Sequence, residues 1–208
     1  IRDRSPSRGL GDVYKRQSYM LEVAQRALDK AMDNFINRTE DEEPVRKDLR
    51  EINFLSGKVT DYLIRLSEED MSHNDELTVS SLYKVLGDIM RVADFSNNIM
   101  RYLRVAVANE LYFSSEGLNE IKEMYSLVDE LFKDVDYTFA NRTTRLLAKI
   151  EDTESKTDKF KLQLQQNHLD RLKGGNCKSE SSSLYVNLIG NIERVADHLV
   201  YIAQSVKE

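Results

Sequence analysis

Gly190-Asn-Ile-Glu-Arg-Val-Ala-Asp-His-Leu-Val-Tyr-Ile-Ala203 decides the architecture. Placed on a helix at about 100° per residue, Leu188, Ile192, Val195, Ala196, Leu199, Ile202 and Ala203 fall on one apolar face. Glu193 and Asp197 are four apart, so their side chains stack one above the other at the border of that face. Like charges at this spacing repel by a few tenths of a kcal/mol in an isolated helix, roughly as much as an opposite pair would gain. Carboxylates kept there are either edge solvation or half of a cation site.

The stretch has an echo. Gly87-Asp-Ile-Met-Arg-Val-Ala-Asp94 precedes Gly190-Asn-Ile-Glu-Arg-Val-Ala-Asp197 by an offset of 103, and Phe35-Ile-Asn-Arg-Thr39 precedes Phe139-Ala-Asn-Arg-Thr143 by 104. Two separate segments agreeing on one period identify an internal repeat. Apolar stripes of helical spacing fill each half. Met20, Val23, Ala24, Ala27, Ala31 and Phe35 mark a first helix from Tyr19, closed by a polar turn ending at Pro44. Further helices are expected at about 46–66, 75 to beyond 102, from Ser114 onward, and 144–172, the last stopping at Gly174-Gly175. The reading is all-α: a tandem of two three-helix bundles, six antiparallel helices in all, split into repeats 18–109 and 110–208. Residues 1–17 are basic, start without Met and lack helical periodicity; they look like translated adapter or cloning sequence, and are set aside as a non-native or disordered tail.

Composition narrows function. Two prolines, no tryptophan and 32% charged residues suit a helical, soluble chain. A net charge of −6 argues against nucleic acid as a partner, since phosphate contacts need clustered Lys and Arg. The single cysteine, Cys177, excludes an internal disulfide framework. No run approaches the ~18 apolar residues that a membrane span needs.

Glu154-Ser-Lys-Thr-Asp158 repeats the acidic spacing on the preceding helix. Measured from the Gly174–Lys178 turn at about 1.5 Å per residue, Asp158 and Glu193 each lie about 22 Å away, so the two acidic pairs should meet at one level. Four carboxylates, Glu154, Asp158, Glu193 and Asp197, would suit iron, manganese, magnesium or zinc; a solvated acidic seam is the alternative. The first repeat offers Leu49, Asn53, Met90 and Asp94 at the matching positions, so only Asp94 survives. Asp94 and Asn98 are expected to make helix-surface or inter-helix hydrogen bonds. His73, His168 and His198 are expected at the solvated surface, and Cys177 without a nearby base. No paired Glu-x-x-His, phosphate loop or Ser/His/Asp set is present, so no catalytic set is expected.

Asn191-Ile-Glu-Arg-Val-Ala-Asp-His198, with its weaker copy at Asp88–Asp94, resembles the signature of PhoU domains. Asn167-His-Leu-Asp-Arg-Leu-Lys-Gly-Gly-Asn-Cys177 is similar to a stretch in the C-terminal domain of bacterial Na+/phosphate cotransporter family proteins. The resemblance implies a two-repeat, six-helix PhoU fold on the cytoplasmic face of the membrane, attached to a transmembrane sodium-coupled phosphate carrier. It also implies metal clusters on Glu/Asp-x-x-x-Asp pairs, here Glu154, Asp158, Glu193 and Asp197 with Asp94 as a remnant. Met90, Ala93, Phe95, Ala196 and Tyr201 depart from the family pattern. The expectation is a non-enzymatic regulatory domain of such a cotransporter, with a second copy of the chain as a further candidate partner. The alternatives are a free-standing PhoU-type phosphate-signalling regulator, which would bind a transporter ATPase or sensor kinase, and a metal-dependent helical-bundle enzyme.

Overall fold

The computed structural model describes residues 6–207. Six helices follow one another: α1 (Pro6–Asn37), α2 (Glu43–Ser67), α3 (His73–Ala108), α4 (Ser115–Asn141), α5 (Leu147–Lys173) and α6 (Ser182–Gln204), and the described residues contain no strand. The boundaries follow local chemistry. Pro44 sits in the first turn of α2, where its missing N–H costs nothing. Ser72 caps α3 in a reciprocal box with Asp75, and the Ser114 hydroxyl accepts from Gly117 N–H at 3.0 Å to cap α4. Gly175, at φ 70°, turns the chain out of α5.

The repeated Phe-x-Asn-Arg-Thr motif is a helix stop. Arg38 and Arg142 close α1 and α4 in the left-handed region, at φ 55° and 49°. Thr39 N–H then reaches back to Asn34 C=O at 2.9 Å, and Thr143 N–H to Thr138 C=O at 3.1 Å, satisfying carbonyls the helix end would otherwise leave open. Each arginine lies over a tyrosine ring, Arg38 on Tyr112 and Arg142 on Tyr14. The motif's Phe35 and Phe139 are buried.

Within each repeat the helices bury their stripes on one another: α1 against α2 and α3, α6 against α4 and α5. The repeats join through α3 against α6 and α1 against α4, leaving α2 and α5 as outer helices. Equivalent residues touch at this seam. Gln25 donates to Asp129 at 3.1 Å, and the Phe95 and His198 rings are 6.1 Å apart between centroids. A residue contacting its own counterpart marks a two-fold relation, so the repeats pack isologously, as identical subunits of a dimer would. All seven apolar positions on the α6 face are buried.

The N-terminal expectation needs correction. For residues 1–5 it lies outside the described residues. From Pro6 onward the chain is helical rather than disordered, and α1 starts well before Tyr19. Leu10 and Val13 extend the buried stripe toward the N-terminus, and the buried Gln17 amide donates to Leu82 C=O at 2.8 Å. Tyr14 packs on Phe139. None of the helices, over the described residues, is long and apolar enough to cross a membrane.

Candidate cation site between α5 and α6

α5 is polar for most of its length but buries two threonines, Thr153 and Thr157, against its neighbours. Their hydroxyls donate back to Lys149 and Thr153 carbonyls, at 3.0 and 2.9 Å, so neither needs an outside partner. α5 packs on both α4 and α6, and Glu154 and Asp158 are half-buried beside these threonines. Glu154, Asp158 and Asp197 each present a carboxylate oxygen, and these atoms lie within 4.8 Å of one another.

The repulsion among these acids is relieved only in part. Burial pushes the Glu154 carboxyl above the ordinary carboxylate range, with Asp158 and Asp197 adding to it. Burial likewise raises Asp197, reinforced by Glu193 and Asp158. Asp158 Oδ1 is shielded from solvent without a hydrogen-bond partner. An orphaned acceptor amid converging carboxylates is what an oxygen-coordinated cation would satisfy, so these residues fit a hard or borderline divalent ion.

Two expected ligands stand elsewhere. Glu193 is outside the trio and pairs with Lys161 at 3.0 Å, its side chain 15% exposed and the lysine's 25%. Three carboxylates converge, not four. Asp94 is exposed on α3 and outside the group. Of the four matching positions in the first repeat, Leu49 is buried and Met90 packs against the core, while Asn53 and Asp94 are exposed, so no cluster of acids forms there. Asn98 does bond between helices, donating to Asn191 at 3.0 Å across the repeats.

Two histidines differ from expectation. His198 is half-buried, not exposed: its Nδ1 lies 2.8 Å from Asp88 Oδ1 of the other repeat, on one wall of a cleft of about 520 Å³ that Lys84 and Arg91 also line. His168 is buried, stacked on Tyr185, with Nε2 2.6 Å from the Ser182 hydroxyl. Its Nδ1 is 4.0 Å from Cys177 Sγ, so the cysteine does have a basic group beside it. Burial, then the positive Arg171, holds the His168 imidazole below its usual range and therefore neutral. His73 is exposed beside Glu76, as expected.

A buried ionic knot missed in the sequence locks the far end of the α5–α6 hairpin. Glu120 of α4 accepts from Tyr185 at 2.6 Å and Asn167 at 2.7 Å, and pairs with Arg171 at 2.8 Å. Burial works to raise the Glu120 carboxyl, but these partners outweigh it and hold the group below its ordinary value. Asn167 and Arg171 stand in the Asn167–Cys177 stretch, but nothing in the linear sequence pairs them with Glu120, 47 and 51 residues earlier.

Comparison with known proteins follows the same division into two repeats. The PhoU domain family profile matches residues 18–103 and 121–206, one match per repeat. The chain is 24% identical over 128 residues to the phosphate-specific transport system accessory protein PhoU homolog 1 of Thermotoga maritima, covering 62% of this chain and 54% of that one. It thus spans about half the length of that curated relative. The crystal structure of PhoU from Pseudomonas aeruginosa superposes with a TM-score of 0.86, covering 97% of each chain at 17% identity.

Proposed function

The chain belongs to the PhoU domain family, and from that premise we propose that it is a non-enzymatic regulator of phosphate transport, of the free-standing accessory type, carrying one cation site in its second repeat. The observation that carries the reading is the family match over both repeats together with a carboxylate trio in only one of them. The relative named an accessory protein of a phosphate-specific transport system supports that partner over a sodium-coupled carrier. The cotransporter reading rests on the Asn167–Cys177 stretch, whose His168, Arg171 and Cys177 cluster around Tyr185.

Such a bundle regulates by binding two states of a transporter with different affinity; without that difference it shifts nothing. Glu154, Asp158 and Asp197 would hold the cation. When bound, it neutralises their mutual repulsion and ties α5 to α6. The protein's own residues do the remaining positioning. Thr153 and Thr157 satisfy their hydroxyls within α5 and so can be buried, and Glu120 with Arg171 fixes the hairpin end.

The test uses vesicles carrying either an ATP-driven phosphate-specific transporter or a sodium-coupled phosphate carrier, each with and without the added protein. Binding to the first, with a change in its phosphate uptake, is the expected result. Binding only to the second would replace this reading with the cotransporter one. Phosphate-ester or peroxide turnover lost in Asp197→Ala would overturn the non-enzymatic assignment.

A further inference from the structure

Lys161 and Glu193 form a layer adjoining the carboxylate trio. Lys161 follows Asp158 by three residues on α5, and Glu193 precedes Asp197 by four on α6, so both lie one helical turn along from the trio's own acids. Their 3.0 Å contact is mostly shielded from solvent, and water and salt screen it little. In a site built from four nearby acids, an ammonium therefore already occupies one cation position. Resting on the cation-site reading above, we propose that Lys161 is a resident counter-charge that withholds Glu193 from ligation, so that the α5–α6 site takes a single divalent ion.

Charge decides this. The four carboxylates carry four negative charges, and Lys161 returns one. A single divalent ion leaves the layer pair one charge negative and two leave it one positive, so the ammonium's place rather than the net sum separates them. A second divalent ion would sit beside an ammonium in a partly buried setting, where like charges repel strongly. Removing Lys161 reverses the balance. One ion would leave two negative charges, and a second, bound through the freed Glu193, would bring the site to neutrality. The lysine also explains the asymmetry within the four acids. Glu154, Asp158 and Asp197 converge and repel, while Glu193, close enough to add to that repulsion, is paired with Lys161. The corresponding position in the first repeat is Ser56, opposite Met90, so this device belongs to the second repeat.

The experiment is Mn2+ titration of the metal-stripped full chain, read as bound Mn2+ per chain by native mass spectrometry, with helicity checked by circular dichroism. The proposal expects one Mn2+ in the wild type, two in Lys161→Met, and one again in Lys161→Met/Glu193→Ala. Lys161→Gln, which keeps a polar group at the helix edge, should match Lys161→Met and guards against a folding defect in either. Wild type that already binds two, with the second lost in Glu193→Ala, overturns this inference and leaves the cation site standing. A folded Lys161→Met that still binds one overturns it as well. No Mn2+ on any variant removes the site itself, and the inference with it.

Discussion

The two repeats share a chain path and differ in where they put charge. In the second repeat, the α5–α6 edge gathers Glu154, Asp158 and Asp197, whose mutual repulsion Lys161 and His198 offset only in part at Asp197. In the first, the matching α2–α3 edge is closed by Leu49 and Met90, and its one carboxylate, Asp94, faces solvent. Between the first two helices of each repeat the polarity is reversed. Arg26 and Lys30 of α1 pair with Asp48 of α2, whereas Glu130 and Asp134 of α4 pair with Lys149 of α5. Arg26 and Lys30 correspond to Glu130 and Asp134 at the 104-residue offset. One backbone therefore carries two charge patterns. A helix from one repeat placed into the other would meet like charges, which disfavours mispairing between halves of similar shape. The fold needs the apolar stripes in both copies, and the proposed cation site needs them to differ.

The largest effects should separate the buried acids of the two repeats. Glu120→Ala leaves Arg171, with a side chain only 9% exposed, as an uncompensated charge, and should cost about 3 kcal/mol. Asp48→Ala also removes a buried carboxylate, but its partners Lys30 and Arg26 are 40% and 45% exposed and can return to water, so about 1–2 kcal/mol is expected. Urea denaturation of both variants ranks them; equal costs would mean that the two ionic clusters are equivalent.

A smaller effect sharpens the contrast at the cation site. In EDTA, Asp197→Asn should stabilise the protein at pH 7 by about 1 kcal/mol or less, because it removes one member of a repelling trio. Burial and neighbouring acids lift Asp197 and Glu154, so the native protein takes up protons there before the unfolded chain does. The penalty is thus fully present above the raised folded values, and is relieved as pH falls toward the ordinary carboxylate range near 4. The advantage of Asp197→Asn should shrink over that window. Glu120 behaves oppositely: its value is lowered, so its contribution is present above the ordinary carboxylate range and lost on acidification below it. Denaturation midpoints at pH 7, 6 and 5 check the sign. A variant advantage that grows on acidification would show that the trio is not in repulsion.

The smallest effect compares the twin helix stops. Glycine relieves the left-handed strain at Arg38 and Arg142 alike, and both lose a ring contact. Arg38 additionally donates to Leu111 C=O at 2.7 Å and Ala106 C=O at 3.0 Å, tying the end of α1 to the connection between repeats. Arg38→Gly should cost about 1 kcal/mol, and Arg142→Gly close to nothing, by thermal denaturation.

Most of the fold was legible because its information is periodic and local. The α6 stripe, the Ser114 cap and the repeated Phe-x-Asn-Arg-Thr stop each lie within a few consecutive residues. Antiparallel geometry then sufficed to set Glu154 and Asp158 level with Asp197. What escaped depends on partners distant in the chain. His198 reads as a surface residue until Asp88 arrives from the other repeat, and His168 until the hairpin brings Ser182 and Cys177 to its two nitrogens. Glu193 was expected with the other acids because spacing fixes its height on the helix and not the direction in which Lys161 draws it. The start of α1 was hidden because Leu10 and Val13 stand among glycines and basic residues, with too few apolar neighbours to make a pattern.

On the proposed reading the repeats share a fold and the second alone holds a cation. Anomalous diffraction from crystals of the full chain grown with Mn2+ tests it most directly. The account predicts one anomalous peak, among the carboxylates of Glu154, Asp158 and Asp197, and none between α2 and α3. A peak beside Asp94, or no peak at the trio under saturating Mn2+, would contradict it.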